Sequence, residues 1–376
     1  MTPHDKSLLT HLLQRHSELG ISEQIDYEKF YLYSIITHST AIEGSTVTEV
    51  EAQLLFDEGI TSSKRSIIEQ NMNLDLKEAY DYGREWIMQH GDITVDELIV
   101  LASKVMSRTG ADYKSIGGDF SAARGELRKL NVTAGAGGRS YLSYLKVPAA
   151  LQAFCDELNR RRRALDTTDA SAIYDLSFWA HYELVTIHPW ADGNGRTSRL
   201  LMNLLQMEWG VLPTKVLRED KAEYIQALIN AHEQDRLELF THVMTALHCR
   251  HLQTDVERFL QSVDTDVTDK HAITAEITDK LQRITDKSQD ITDKPQGNTT
   301  VTDALVSKIT DAYLYVLQHP HTSARELATH LGRSSESAKK YLQTLASIGM
   351  VTPEGANKNR TYSAAPSIPP EDNSAG

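Results

Sequence analysis

The sequence predicts a mainly α-helical protein with one β-hairpin and a small C-terminal winged helix-turn-helix domain. Apolar residues recur at helical spacing through the first 110 residues, where the alternation typical of strands is scarce. A glycine-rich turn between two short apolar runs is the clear hairpin signal, and a second set of helix caps begins after residue 304. The patterns indicate a helical region at 1–110, a core at 111–250 with the hairpin at about 130–145, a linker at 264–303, a winged domain at 304–365 and a disordered tail at 366–376.

The composition narrows the class of protein. The chain has 376 residues, 40% of them hydrophobic, and a net charge of −13, which argues against broad, non-specific binding of nucleic acid. Two cysteines, Cys155 and Cys249, cannot make a disulfide framework. No apolar run approaches about 20 residues, and the N-terminus lacks the pattern of a signal peptide. We therefore expect a cytoplasmic protein that does not contact the membrane.

The helical region contains one charge in an unfavourable place. A helix through Phe30 and Ile36 is expected to end near Glu43, with Gly44 as its C-terminal stop. The Glu43 carboxylate then faces the negative end of the helix dipole. Local misfits of this kind tend to be functional, although a solvated glutamate is the simpler interpretation of this segment alone.

The densest group of chemically capable side chains lies between His188 and Arg199. Pro189 ends a preceding apolar helix at His188, and two glycines then precede a second helical run. Backbone N–H groups at such a helix start are unpaired and form a cradle for phosphate. Arg196 and Arg199 present two guanidinium groups on one face. Asp192 is a hard ligand for Mg²⁺, and His188 is the nearby group that can take up a proton near neutral pH.

The segments that precede this motif predict a hairpin and two helices. Residues 130–133 and 140–145 are the expected strands, joined by a turn at 135–138, with a plain ordered loop as the alternative. A helix at 148–165 carries four consecutive arginines, 160–163, for which we expect a solvated face. Packing or a local hydrogen bond is the expected role of His181 and Glu183.

The chain after residue 250 predicts a tether and a second domain. A Thr-Asp-Lys repeat recurs at 268, 278, 285 and 292, with only one apolar residue per seven, which is too few for a coiled coil. We expect a linker there that is partly flexible and weakly helical. Capped helices and a possible wing then give helix-turn-helix spacing, which resembles the winged-helix domains of bacterial regulators. Binding of DNA and docking of a protein stay equally open, and the candidate basic patch consists of Arg333, Lys339, Lys340, Lys358 and Arg360.

The segment 188–199 resembles the signature of the Fic family. Every chemical position matches, and Trp190 stands where phenylalanine is usual, a change expected to affect packing only. Ser39-x-x-x-Glu43-Gly44 resembles the inhibitory motif of the class II subgroup, whose inhibitory helix precedes the signature in the same chain. Gly125-Glu126-Leu127-Arg128 resembles the lead-in to the family's hairpin, the flap, with leucine in place of the usual aromatic residue.

The resemblance implies a protein adenylyltransferase that moves AMP from ATP to a Ser, Thr or Tyr hydroxyl of a protein. It implies His188 as the catalytic base, Asp192 as the Mg²⁺ ligand, and Glu43 and Ser39 as regulatory residues, with Glu43 paired to Arg199. The protein target would pair with the flap by its backbone, and self-modification is included. Tyr224 would cap the adenine, with a core-packing role as the alternative. The implied nucleotide-binding residues are Asp192, Gly193, Asn194, Gly195, Arg196, Thr197, Ser198, Arg199 and Tyr224.

Three alternatives stay open. Some Fic relatives move another phosphate-containing group, although the intact residues 192–196 and the Glu43 motif favour nucleotide transfer. Glu43 could also orient a water that removes AMP, as in bifunctional relatives. The chain could instead be a DNA-binding regulator with a minor enzymatic core. The target, a homo-oligomeric state and the signal that releases Glu43 are not readable from the sequence.

Overall fold

Helices dominate the computed structural model, which describes residues 1–133, 140–289, 302–355 and 360–365. This confirms the predicted mainly α-helical class. The chain divides into two units, Met1–Phe259 and Leu260–Gly376. Among the described residues, none of the helices combines the length and the apolar character that a membrane span needs.

The first unit is built from nine helices and the beginning of a tenth within the described residues. One pair of short antiparallel strands, β1 and β2, places Asp112 opposite Ser121. These strands border the glycine-rich loop at 114–119, and the sequence did not predict them. The elements are α1 (Pro3–Glu18), α2 (Tyr27–Ile42), α3 (Glu49–Glu58), α4 (Ile67–Ile87), α5 (Val95–Val105), β1 (Asp112–Tyr113), β2 (Phe120–Ser121), α6 (Val147–Arg163), α7 (Ala170–Ile187), α8 (Asn194–Glu208), α9 (Lys221–Glu233) and α10 (Leu237–Gln289).

Helix α8 lies in the interior of this unit. Leu200, Leu201 and Leu204 pack into one apolar cluster with α4, α5 and α7. Met202 packs into a second cluster with residues of α1, α9 and α10. A helix that is apolar on more than one face is buried all round. The packing therefore fixes the N-terminus of α8, which carries the signature residues.

Helix α6 corresponds to the helix predicted at 148–165, but its arginines are not all solvated. Only 8% of Arg162 is exposed, and its Nε donates to Oε2 of Glu208 at 3.1 Å. Glu208 lies on α8 and is itself buried. The expectation of a solvated face is wrong for Arg162, because a charge can be buried where it finds an opposite charge. That partner is 46 residues away in the sequence.

The second unit follows the predicted order of three helices and a β-hairpin. Ser323 caps α12 and forms a capping box with Glu326, as the sequence predicts. The sheet order is β3-β5-β4, with antiparallel pairs. The winged-helix assignment and its DNA or protein partner stay predictions. The elements are α11 (Asp303–Gln318), β3 (Thr322–Ser323), α12 (Ala324–Leu331), α13 (Ser335–Ser347), β4 (Val351–Glu354) and β5 (Thr361–Ala364).

The segment predicted as a linker, 264–303, differs from expectation in its packing. Residues 264–289 continue α10 as a helix, and Ile277, the apolar residue of one repeat, is fully buried in the core of the second unit. The repeat thus supplies a core residue at this point instead of a free tether. The repeat at 292, the wing residue Lys358 and the tail 366–376 lie outside the described residues.

Candidate active site

His188 ends α7 in a left-handed backbone conformation, with a φ of 52°. A non-glycine residue rarely adopts this conformation unless its surroundings hold it there. Pro189 prevents the helix from continuing, and Arg128 Nε donates to the His188 carbonyl at 2.7 Å. The imidazole is partly buried, and burial lowers the pKa of His188 to about 4, with a smaller lowering from the charge of Arg128. At neutral pH this side chain is uncharged and able to accept a proton.

The loop from Pro189 to Gly193 is closed by Asn194. Its Oδ1 accepts from the Trp190 N–H at 3.1 Å, and its Nδ2 donates to the Trp190 carbonyl at 2.9 Å. The resemblance implies that Asn194 binds the nucleotide, but here its side chain is buried and occupied within the loop. Its observed contacts shape the turn that brings His188 and the start of α8 together.

Three polar side-chain atoms in the first turn of α8 have no hydrogen-bond partner among the described residues. They are Arg196 Nε, Thr197 Oγ1 and Ser198 Oγ, all fully shielded. Buried polar groups are normally paired, so such exceptions need an explanation. The Arg196 guanidinium otherwise contacts Met106 Sδ at 3.0 Å and the Val105 carbonyl at 3.4 Å, both weak interactions. Its Nη2 also lies 3.7 Å from Asp192 Oδ1, a long ion pair with a side chain that is 61% exposed. Arg196 is therefore a buried cation at the anion-binding end of a helix.

Arg199 makes four polar contacts with three residues, Ser39, Glu43 and Tyr224. Its Nη2 donates to Glu43 Oε1 at 2.6 Å and to the Ser39 carbonyl at 2.9 Å, and its Nε donates to Ser39 Oγ at 2.9 Å. Its Nη1 lies 3.4 Å from Tyr224 Oη. Burial alone would raise the pKa of Glu43, but the charge and hydrogen bond of Arg199 outweigh it and the pKa is lowered. The pair is therefore ionised at neutral pH.

Glu43 also lies over the start of α8. A Cβ atom placed on Gly195 would meet Glu43 Oε1 at 2.5 Å, so the carboxylate rests on the first turn of that helix. Glu43 is the C-terminal cap of α2, an unfavourable place for an anion, yet it occupies the N-terminal end of α8, a favourable one. The local misfit noticed in the sequence is compensated by a second helix.

The flap is formed only in part as predicted. Thr133 and Ser140 make an antiparallel bridge, and the Tyr141 N–H donates to the Val132 carbonyl at 3.1 Å. The predicted return strand at 140–145 is wrong beyond this point, because Tyr144–Lys146 form a 3₁₀ turn that leads into α6. The turn at 135–138 lies outside the described residues.

Arg128 joins the flap to the catalytic loop. Besides the His188 carbonyl, its guanidinium donates to the Leu130 and Leu142 carbonyls on the two sides of the flap, and its own N–H donates to the Pro189 carbonyl at 3.0 Å. Only 1% of Arg128 is exposed. The sequence marked this residue only through its family resemblance and gave no sign of these contacts.

Tyr224 is placed in the core. Only 1% of it is exposed, and its hydroxyl lies 2.9 Å from His181 Nε2. The core-packing alternative thus fits this structure better than the adenine cap, because the ring has little surface to offer a base. His181 is fully buried, in line with the expected packing role, but its hydrogen-bond partner lies 43 residues away in the sequence.

Residues 92–206 match the model of the Fic/DOC family. The chain carries a Fic domain. The Fic domain contains the whole segment from His188 to Arg199, as the resemblance implied, while Glu43 and Tyr224 lie outside the matched residues.

Relatives with assigned names resemble this chain over part of their length. Protein adenylyltransferase Fic of Drosophila sechellia is 29% identical over 230 residues, which are 58% of this chain and 41% of the relative. The chain thus spans about two fifths of that relative's length.

Two solved structures share the fold. Fic-1 from C. elegans matches with a TM-score of 0.53 and 23% identity, covering 70% of this chain and 73% of that one. A Fic family protein from Desulfovibrio desulfuricans matches with a TM-score of 0.59 and 18% identity, covering 98% of both chains. At these identities the likeness concerns the fold alone.

Trp190 does more than fill space in the Fic domain. Its Nε1 donates to the Gly125 carbonyl at 2.9 Å, and only 1% of the residue is exposed. We expect Trp190→Phe to lower the Tm of the first unit by about 2–8 °C, because the unpaired carbonyl costs about 1–3 kcal/mol. Calorimetry measures this shift. Trp209→Phe is the matched control, since the Trp209 indole N–H has no partner among the described residues, and an equal Tm loss in both variants would contradict the role of the bond.

Proposed function

We propose that the protein transfers AMP from ATP to a hydroxyl group of a protein, and that Glu43 restrains this activity. The observation that carries the proposal is the arrangement around one short loop: a neutral, partly buried His188 precedes it and the N-terminus of α8, with two buried arginines, follows it. The names of the adenylyltransferase relatives support the same activity. The fold class and the Fic domain are consistent with it.

His188 is the base in this proposal. It takes the proton from the target hydroxyl as the hydroxyl oxygen attacks the α-phosphorus of ATP. The new bond joins that oxygen to phosphorus, and the bond to the β-phosphate oxygen breaks, so that pyrophosphate leaves. The hydroxyl becomes an AMP ester. Such chemistry depends mainly on positioning and on stabilisation of phosphate charge.

The start of α8 and its arginines supply the phosphate contacts. The N–H groups of the first turn face the anion, Arg196 has a shielded donor free within the described residues, and Arg199 offers its guanidinium once Glu43 withdraws. The Thr197 and Ser198 hydroxyls, which have no hydrogen-bond partner among the described residues, are further donors near the proposed nucleotide site.

Asp192 is the residue that would hold Mg²⁺. Its side chain is 61% exposed, and its Oδ1 accepts from the Gly193 N–H at 2.6 Å. A single carboxylate that can reach solvent beside a phosphate cradle fits Mg²⁺, which binds through one or two carboxylates and the substrate phosphates. Bound there, the ion would neutralise phosphate charge.

Glu43 restrains the reaction by occupying the place of a phosphate. Its carboxylate rests on the first turn of α8 and on Arg199 at 2.6 Å. A polyphosphate that needs the same guanidinium must displace this contact or bind with its phosphates shifted. The protein target docks on the flap, whose bond to the catalytic loop runs through Arg128.

The test is label transfer from α-³²P-ATP and, separately, from γ-³²P-ATP with Mg²⁺, using the Glu43→Gly variant and scoring self-modification. Label from the α-phosphate alone is the expected result. Label from the γ-phosphate would make the protein a phosphotransferase, and no label from either would contradict the proposed activity. Release of labelled AMP on later incubation of the wild-type protein with modified protein would add a second activity, the hydrolytic removal of AMP.

The pH dependence follows from His188. Because burial places its pKa at about 4, the base is neutral above that value and is lost as the pH falls through it. We expect the NMR titration of His188 in the nucleotide-free protein to have a midpoint far below the 6.5 of an ordinary histidine. A midpoint near 6.5 for His188 would show that water reaches the imidazole and would contradict its burial.

A further inference from the structure

The ring of Tyr141 lies directly on the catalytic base. The centroids of the Tyr141 and His188 rings are 3.8 Å apart, and the ring planes differ by 16°. This is a stacked pair at van der Waals distance. Tyr141 belongs to the flap, where its N–H pairs with the Val132 carbonyl at 3.1 Å. No signal in the sequence or in the signature singled it out.

The flap is tied to His188 by a second contact on the backbone. The buried Arg128 guanidinium donates to the carbonyls of Leu130 and Leu142, on the two sides of the flap, and to the carbonyl of His188. Arg128 therefore binds the main chain of His188, and Tyr141 packs on its ring. Other polar contact with the imidazole is weak, since His188 Nδ1 lies 3.4 Å from the Val185 carbonyl.

We propose that Tyr141 is a positioning residue for His188: its ring fixes the orientation of the imidazole and keeps water from one of its faces. The flap that receives the protein target therefore also aligns the base, and docking and proton transfer share one element. This inference rests on the proposed function of the same site.

The charge environment is consistent with a dry, oriented base. Burial is the main cause of the lowered pKa of His188, and the charge of Arg128 acts in the same direction. The hydrogen bond with the Val185 carbonyl and the charges of Asp192 and Glu43 raise this pKa, but they do not outweigh burial. Burial also raises the pKa of Tyr141, so its phenol stays neutral. The contact is then a neutral stack of two rings, which phenylalanine can reproduce and alanine cannot.

The experiment compares Tyr141→Phe and Tyr141→Ala in the full chain carrying Glu43→Gly. We expect Tyr141→Ala to lower kcat for AMP transfer about tenfold or more, with KM for ATP changed by no more than about twofold, since misplaced catalytic groups cost rate rather than nucleotide binding. Tyr141→Phe should stay within about twofold of the parent. Unchanged kcat in Tyr141→Ala would overturn the proposal, and so would an equal loss in both variants, which would assign the effect to the phenol hydroxyl.

A second readout does not depend on activity. In the nucleotide-free protein, NMR titration should show the His188 pKa rising by about one unit or more in Tyr141→Ala, because water reaches the ring, and staying unchanged in Tyr141→Phe. Loss of the signal in His188→Ala assigns it among the 15 histidines. An unchanged pKa in Tyr141→Ala would contradict the stacking role. If the Glu43→Gly parent transfers no AMP, the proposed function fails while this titration still decides the role of Tyr141.

Discussion

His188→Ala in the Glu43→Gly background should lower AMP transfer by about 10²- to 10⁴-fold, the contribution of a positioned general base. The physical reason is that His188 occupies a strained, left-handed position between α7 and the phosphate-binding turn, with its carbonyl held by Arg128 at 2.7 Å. ATP binding should persist, because the N–H groups and arginines of α8 remain. Transfer of α-³²P label measures the first effect, and equilibrium dialysis with ATP measures the second.

The matched control is His11→Ala, an exposed histidine on α1, which should leave both quantities unchanged. Transfer within about tenfold of the parent in His188→Ala would show that another group takes the proton. Loss of ATP binding together with transfer would show instead that His188 supports the shape of the site.

Glu43→Gly should raise AMP transfer about tenfold to thousandfold, because each 1.4 kcal/mol of competing interaction that is removed gives a factor of ten. Arg199 keeps its bonds to Ser39 Oγ and to the Ser39 carbonyl, both at 2.9 Å, so its guanidinium stays in place when the carboxylate is gone. The rate of α-³²P self-labelling at fixed ATP concentration measures the gain.

Two further variants separate charge from shape. Glu43→Gln keeps the size of the side chain and removes its charge, so it should give an intermediate rate. Ser39→Ala removes the bond to Arg199 Nε but leaves Glu43, and should release far less activity than Glu43→Gly. A wild-type rate that equals or exceeds that of Glu43→Gly would contradict the inhibitory role.

Much of the candidate site can be predicted from local sequence patterns. The break at Pro189, the two glycines and the arginines of α8 lie within twelve residues, and the structure places them around one loop as expected. The contact between Glu43 and Arg199 spans 156 residues, and only the family resemblance suggested it. One indication does not depend on the resemblance: Glu43 is an anion at the negative end of a helix, an unfavourable place that suggests a partner elsewhere.

Two features that the sequence did not predict depend on long-range contacts. Arg162 is buried because Glu208 lies opposite it, and the stack of Tyr141 on His188 depends on how the flap folds over α7. Neither contact has a local signature. The return strand of the flap is shorter than predicted for a local reason. Its apolar residues suit a strand as well as the 3₁₀ turn that precedes α6.

The contact between Glu43 and Arg199 couples the proposed restraint to folding stability. Removing the carboxylate relieves a repulsion at the end of α2, but it loses an attraction at the start of α8. It also leaves the Arg199 guanidinium, which is only 3% exposed, without its ion-pair partner. A variant that lacks this carboxylate should therefore transfer AMP faster and unfold at a lower temperature. In a thermal-shift survey such a residue would look like an ordinary stabilising ion pair, and only an activity measurement would reveal the restraint.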